Sequence, residues 1–158
     1  MLIRDIQPSD NTIIANVIRS VLEDFNVPKN NSTYADNSLD CLFKYYNKKT
    51  AHYYIVEIEK EIVGGAGIVQ LENYTEAVCE LQKMYLLPIV RGKGIGKKLI
   101  QKCLLKAKEL GYSQCYLETL PTMSNAQKLY RKLGFKTLNQ SMGATGHTVC
   151  SVWMLKDL

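Results

Sequence analysis

The sequence predicts an α/β (α+β) fold with the element order β-α-α-β-β-β-α-β-α-β-β around one mixed sheet. Three observations predict it. Stretches with the period-two alternation of strands take turns with stretches of helical period. The middle strands are joined by short turns, which makes antiparallel hairpins, whereas the later strands are separated by helix-length crossovers, which permits a parallel pair. With 158 residues, 46% of them apolar and 22% charged, the chain has the size and composition of a single domain, 1–158. A chain of that length can bury roughly 70% of its unfolded surface.

Leu2 to Ile6 reads as a short first strand. Ser9 or Asp10 caps a helix to about Phe25, with Ile13, Ile14, Val17, Ile18, Val21, Leu22 and Phe25 on one face. The polar stretch Asn26 to Asn37 is a loop, and a second, short helix follows with Leu39, Leu42, Phe43 and Tyr46 on one side. His52 to Glu59 and Ile62 to Leu71 form a hairpin across Glu59-Lys60-Glu61. Its second strand holds Gly64, Gly65 and Gly67; bare backbone of this kind marks either a bulge with packing reasons or close approach by a ligand. Asn73 turns the chain into a central strand, Ala77 to Leu87, where alternation sets Glu80, Gln82, Met84 and Leu86 on one face. Past Pro88 and a glycine-rich turn, a long helix buries Ile95, Leu99, Ile100, Cys103, Leu104, Ala107 and Leu110 and stops at Gly111. Gln114 to Glu118 is the next strand. Ser124-x-x-Gln127 has the form of a capping box for a helix to Leu133, closed by Gly134. Phe135 to Leu138 and Val149 to Leu155 complete the strands, joined by a loop holding Gly143 and Gly146.

The chain is organised around Glu80 to Leu110, where a strand runs into Arg91-Gly92-Lys93-Gly94-Ile95-Gly96 and then into the long helix. Glycines let successive N–H groups turn toward one point. The unpaired N–H groups of the helix start and the positive end of its dipole lie at the same place, so the turn suits a phosphate or pyrophosphate. Lys93, Lys97 and Lys98 add positive charge. A Walker loop, G-x-x-x-x-G-K-S/T, fails twice: its first glycine would fall on Arg91, and Lys98 replaces the hydroxyl residue. A dinucleotide fingerprint fails once, because Lys97 stands where G-x-G-x-x-G needs its last glycine, although Glu118 sits at a suitable distance for a ribose-binding acid.

Arg91-x-x-Gly94-x-Gly96 after a strand resembles the Gln/Arg-x-x-Gly-x-Gly/Ala loop of the GNAT superfamily of N-acetyltransferases. Asn125-Ala126-Gln127-Lys128-Leu129-Tyr130-Arg131-Lys132-Leu133-Gly134-Phe135 resembles that family's N-x-x-A-x-x-x-Y-x-x-x-G-F region, with Ala126 displaced. The element order matches as well. The resemblance implies a GNAT-type, mainly antiparallel twisted sheet of seven strands flanked by four helices, and transfer of the acetyl group of acetyl-CoA to a primary amine by direct attack.

On that resemblance, Arg91, Gly92, Lys93, Gly94, Ile95, Gly96 and Lys97 hold the coenzyme's pyrophosphate, and Asn125 also contacts the coenzyme. The coenzyme arm lies along Met84, Tyr85 and Leu86 if the next parallel strand splays away, acting like an added strand. Tyr130 is the candidate acid: a phenol of pKa ~10 is neutral at neutral pH and can protonate a leaving thiolate. It also falls on an apolar stripe with Ala126, Leu129 and Leu133, which suits a core residue. Glu80 is the candidate base for an amine that must lose a proton before attacking, and equally a strand glutamate paired with a cross-strand lysine. Asn125 is equally a helix-start residue. The acceptor, an amine of a small molecule or of a protein, would meet the first two helices and the loops Asn26 to Asn37 and Asn139 to Thr148. Paired chains are common in the family, so a homodimer is consistent with it. The competing class is a sensor that binds an acyl-CoA or nucleotide without chemistry; it has no need of an acid at Tyr130.

Composition narrows the partners. No apolar run approaches the ~18 residues of a membrane span, and MLIRDIQPSD lacks a signal core, so a cytoplasmic protein is expected. The five cysteines are odd in number and widely spaced, which suits reduced thiols, and with only two histidines no metal site is expected. The net charge is +5, with six lysines from Lys93 to Lys108 and no acid before Glu109. That is a solvated helix face or an attraction for a polyanionic cofactor; the aromatic interleaving and basic tails that support nucleic-acid binding are missing.

Overall fold

The computed structural model describes residues 1–30, 32–146 and 149–158. Its strands are β1 (Leu2–Asp5), β2 (Ala51–Ile58), β3 (Glu61–Gln70), β4 (Val78–Leu86), β5 (Gln114–Thr119), β6 (Lys136–Thr137) and β7 (Val152–Asp157). They form one seven-stranded sheet in the order β1-β2-β3-β4-β5-β7-β6. Only the β4–β5 pair is parallel. The helices are α1 (Asn11–Asp24), α2 (Leu42–Tyr46), α3 (Ile95–Glu109) and α4 (Ser124–Lys132). Ile14, Ile18 and Leu22 of α1 and Leu42 and Tyr46 of α2 pack with Tyr53, Ile55 and Val69 on one face of the sheet. Leu99, Ile100 and Cys103 of α3 and Tyr130 of α4 pack with Val56, Ile68, Leu81 and Leu117 on the other. None of the described helices is long and apolar enough to cross a membrane.

Alternation along the central strand breaks where the sequence predicts it to continue. Lys83 has φ +50°, and β3 and β4 slip register there: Gln82 faces Gly67, whereas Tyr85 faces Gly65. One extra residue is thus inserted into β4, a β-bulge. Cys79 and Leu81 pack toward α3, and so do Met84 and Leu86, while Tyr85 packs toward α1. Glu80 and Gln82 therefore do not share a face with Met84 and Leu86, because an inserted residue inverts the side-chain order beyond it.

The glycines of β3 answer to packing. A Cβ on Gly67 would lie 2.5 Å from Cε1 of Tyr46, and one on Gly65 would lie 2.5 Å from Cε1 of Tyr53. Two buried rings thus lie on bare backbone, beside the same bulge.

Other local expectations also shift. A 3-10 turn, Pro8–Asp10, precedes α1; Asp10 holds the N-cap position of α1 as expected, but its Oδ2 accepts from Gln7 N at 2.7 Å and caps no amide of that helix. Met123, not Ser124, is the N-cap of α4. Gln127 makes no capping box; its Nε2 donates to the carbonyls of Leu120 at 3.0 Å and Pro121 at 3.1 Å and so ties the β5–α4 connection. The last strand begins at Val152 rather than Val149, and β6 keeps only Lys136–Thr137. Three cysteines, Cys79, Cys103 and Cys115, are buried free thiols.

Candidate active site

The single parallel pair creates the site. β4 and β5 share three residue pairs and part after Glu80–Tyr116. Beyond that point β5 follows β7 as far as Thr119, and β4 follows β3 as far as Leu86. The separation opens a cleft of about 550 Å³. Met84, Tyr85 and Leu86 form one wall, Asn125 and Tyr130 of α4 the other, and Arg91, Gly92, Gly94, Gly96 and Lys97 close one end. The edge of β4 along this wall pairs with no strand on the β5 side among the described residues. A buried edge needs hydrogen-bonding partners, and an amide-bearing chain supplies them.

The glycine turn has the geometry of an anion cradle. Gly92 and Gly94 lie at φ +74° and +75°, a region glycine enters without penalty. Gly94 is the N-cap of α3 and offers no side chain, so the N–H groups of the first turn face outward uncapped. A Cβ at either position would meet nothing within 4 Å, so the space over the turn is open. Gly96 differs: its Cβ would sit 3.3 Å from Leu129 Cδ2 and 3.4 Å from Met84 Cε, so it serves close helix packing. Arg91 is partly occupied in the scaffold. Its Nε donates to Leu86 O at 3.0 Å, and its guanidinium lies 5.1 Å from the Phe25 ring centre. Ile95 turns its side chain into the core, and Lys93 stands exposed; neither side chain lines the cleft.

Tyr130 packs in the core and also lines the cleft. Its ring packs edge-on to Phe135 at 5.8 Å and is 7% exposed. Its hydroxyl donates to the Met84 thioether at 3.7 Å, and the residue lines both the cleft and a smaller adjoining cavity of about 60 Å³. Burial pushes the phenol well above its ordinary value, so it stays protonated.

Glu80 lines the smaller cavity, not the main cleft. It is 5% exposed, and its Oε2 accepts from Gln82 Nε2 at 2.7 Å. It also borders a third, polar cavity of about 170 Å³ edged by Asp36, Glu72, Lys83 and Thr145. Glu80 thus stands between the space beside Tyr130 and a space opening toward the Asp36 and Thr145 loops. Of the loops expected to meet an acceptor, Asn31, His147 and Thr148 lie outside the described residues.

Sequence reasoning missed Lys83 and Cys150 here and read Glu118 only as a possible ribose-binding acid. Lys83 is buried, and its Nζ donates to Asp36 Oδ2 at 2.7 Å, tying the loop after α1 to the bulge. Glu118 accepts from Tyr116 Oη and Thr145 Oγ1, each at 2.7 Å, beside the smaller cavity. Cys150 lines that cavity too, its thiol pushed up to about 12 by burial and by the carboxylates of Glu118 and Glu80. One signal was available: a lysine inside an otherwise half-buried strand is unusual unless paired.

The Acetyltransferase (GNAT) family model matches residues 16–135. The chain is 42% identical over 158 residues to YjgM, an uncharacterised N-acetyltransferase of Escherichia coli K12, covering 99% of this chain and 95% of that protein. It superposes on a GNAT-family acetyltransferase from Staphylococcus aureus Mu50 with a TM-score of 0.86 at 21% identity, over 99% of this chain and 98% of the other. It also superposes on the PaiA N-acetyltransferase from Thermoplasma acidophilum, solved with coenzyme A, with a TM-score of 0.77 at 18% identity and the same coverage.

Proposed function

Since the chain belongs to the acetyltransferase (GNAT) family, whose acyl donor is acetyl-CoA, we propose that it acetylates the primary amine of a small molecule in the cleft between β4 and α4. The observation that carries this reading is the parting of β4 from β5 into a cleft lined by both an uncapped glycine turn and Tyr130. The open space over Gly92 and Gly94 and the unpaired edge of β4 fit a diphosphate joined to an amide-bearing arm. Acetyl-CoA supplies the activated acyl group.

The chain's own residues do the rest. Main-chain N–H groups from Gly92 to Lys97 bind the diphosphate, Lys97 adds charge, and Asn125 contacts the coenzyme from the opposite wall. Backbone groups of Met84, Tyr85 and Leu86 align the arm, and an N–H of this stretch stabilises the developing oxyanion. Glu80 takes a proton from the incoming ammonium across the smaller cavity, directly or through water. Tyr130 gives its proton to the departing thiolate; burial keeps the phenol protonated, so the proton is there to give. The smaller cavity, about 60 Å³, suits the reacting end of a small amine.

The test is release of free thiol from acetyl-CoA with a broad panel of amines. Release with at least one small primary amine is expected. Tight coenzyme binding with no release across the panel would refute the enzymatic reading of this site.

A further inference from the structure

We infer that Gln82 is a positioning residue for this reaction: its side-chain amide, oriented by Tyr46, holds the Glu80 carboxylate where the two acceptor-side cavities meet. The inference rests on the reading of Glu80 as the base. Gln82 Nε2 donates to Glu80 Oε2 at 2.7 Å, and Gln82 Oε1 accepts from Tyr46 Oη at 2.7 Å. Lys83 Nζ approaches the same Oε1 at 3.5 Å. Chemistry fixes which way the amide points. An ionised carboxylate only accepts and an ammonium only donates, so the nitrogen must face Glu80 and the oxygen must face Lys83.

Tyr46 is a firm anchor. It is 3% exposed, and its ring centre lies 4.9 Å from those of Tyr45 and Tyr53. Gly67 leaves the gap that the Tyr46 ring fills. Burial keeps its phenol protonated, hence a donor. The fixed end of the relay thus sits in the α1–α2 core and the working end at the reaction centre. The bulge at Lys83 makes Gln82 the last residue in phase with Glu80 on this face. Charged and titratable groups facing Glu80 come from several elements. Asp36, Glu72 and Lys83 border the outer cavity, and Glu118, Cys150 and Tyr85 border the inner one. Among such neighbours a mobile carboxylate has other places to go, and a small misplacement of a reacting group costs up to about a hundredfold in rate.

A mutant cycle tests the inference, with acetyl-CoA and the fastest amine of the panel. Glu80→Gln is expected to lower kcat strongly. Gln82→Leu alone should lower kcat by roughly tenfold to a hundredfold, with KM for acetyl-CoA unchanged, and Tyr46→Phe should act in the same direction but less. In the Glu80→Gln background, Gln82→Leu should change kcat by less than about twofold, because a residue acting through Glu80 has nothing left to act on. Equal losses in both backgrounds would show that Gln82 is merely structural and overturn the inference while sparing Glu80. An unchanged kcat in Glu80→Gln would overturn the base itself, and the inference with it. A second measurement needs no turnover: the Gln82 side-chain amide proton resonances, assigned by their loss in Gln82→Leu, should move in both Glu80→Gln and Tyr46→Phe. Resonances that stay in place in both would break the relay.

Discussion

Tyr130→Phe separates the two characters of that residue. The substitution removes one oxygen and leaves the ring, its edge-on contact with Phe135 and its place in the α3–α4 core. The hydroxyl's bond to the Met84 thioether is 3.7 Å long. Sulfur is a weak acceptor, so the loss of folding stability should stay within ~1 kcal/mol, about 2–4 °C in Tm for a chain of this size. Turnover should fall far more, by roughly 10²–10⁴, because a leaving thiolate would lose the proton donor proposed for it. Coenzyme affinity should hardly change, since the phosphate cradle and the β4 edge are untouched. Thiol release, calorimetric binding of coenzyme A and a melting curve on the same preparation read all three. The wild-type pH profile adds a sign check. The acid must be protonated to act, and burial raises Tyr130 above a phenol's ordinary value, so kcat should not fall as pH passes about 10 through loss of this proton. Turnover of Tyr130→Phe within about twofold of wild type would refute the acid role; lost turnover with an equally lost fold would return Tyr130 to the core alone.

Gly94→Val should abolish coenzyme A binding, because a side chain enters the open space over the turn and a branched residue resists φ +75°, while Gly111→Ala, at φ +89° with equally open surroundings, should cost stability only. Calorimetric titration checks both, and retained affinity in Gly94→Val would make the turn structural. Gly67→Ala should destabilise by about 1–3 kcal/mol in urea unfolding, since its methyl lands 2.5 Å from Tyr46. Arg4→Met should raise the pH of acid unfolding. Burial pushes the Asp10 carboxyl up, but the Arg4 guanidinium and the Gln7 N–H more than offset it and leave it below the ordinary carboxylate range. The stability this gives is present above the unfolded value near ~3.9 and is lost as pH falls through the lower folded value; circular dichroism against pH reads the midpoint.

The element order and the glycine turn were legible because both rest on local signals: periodicity, turn formers and bare backbone. The splay of β4 from β5 was foreseen only as a condition, and the ladder meets it after Glu80. What stayed hidden depends on partners distant in the chain. Nothing near Lys83 announces a positive φ; the bulge follows from how β4 must pass Gly65 and Gly67, whose own bareness answers to Tyr53 and Tyr46. The separation of Met84 from the face of Glu80 and Gln82 follows from that bulge. Ser124-x-x-Gln127 carried a plausible local signal, but the carbonyls of Leu120 and Pro121 claimed the glutamine instead.

The single left-handed residue at Lys83 works as a frame shift within one strand. Upstream of it, β4 sets a carboxylate and an amide on one face; downstream, it turns a thioether and a leucine toward α3 and α4. Were Lys83 held in regular alternation instead, Met84 would fall on the face of Glu80 and Gln82, and the thioether now touching Tyr130 would turn away from it. Relatives aligned by hydrophobic rhythm alone will be misread at this spot, and a one-residue gap there deserves to be placed by function.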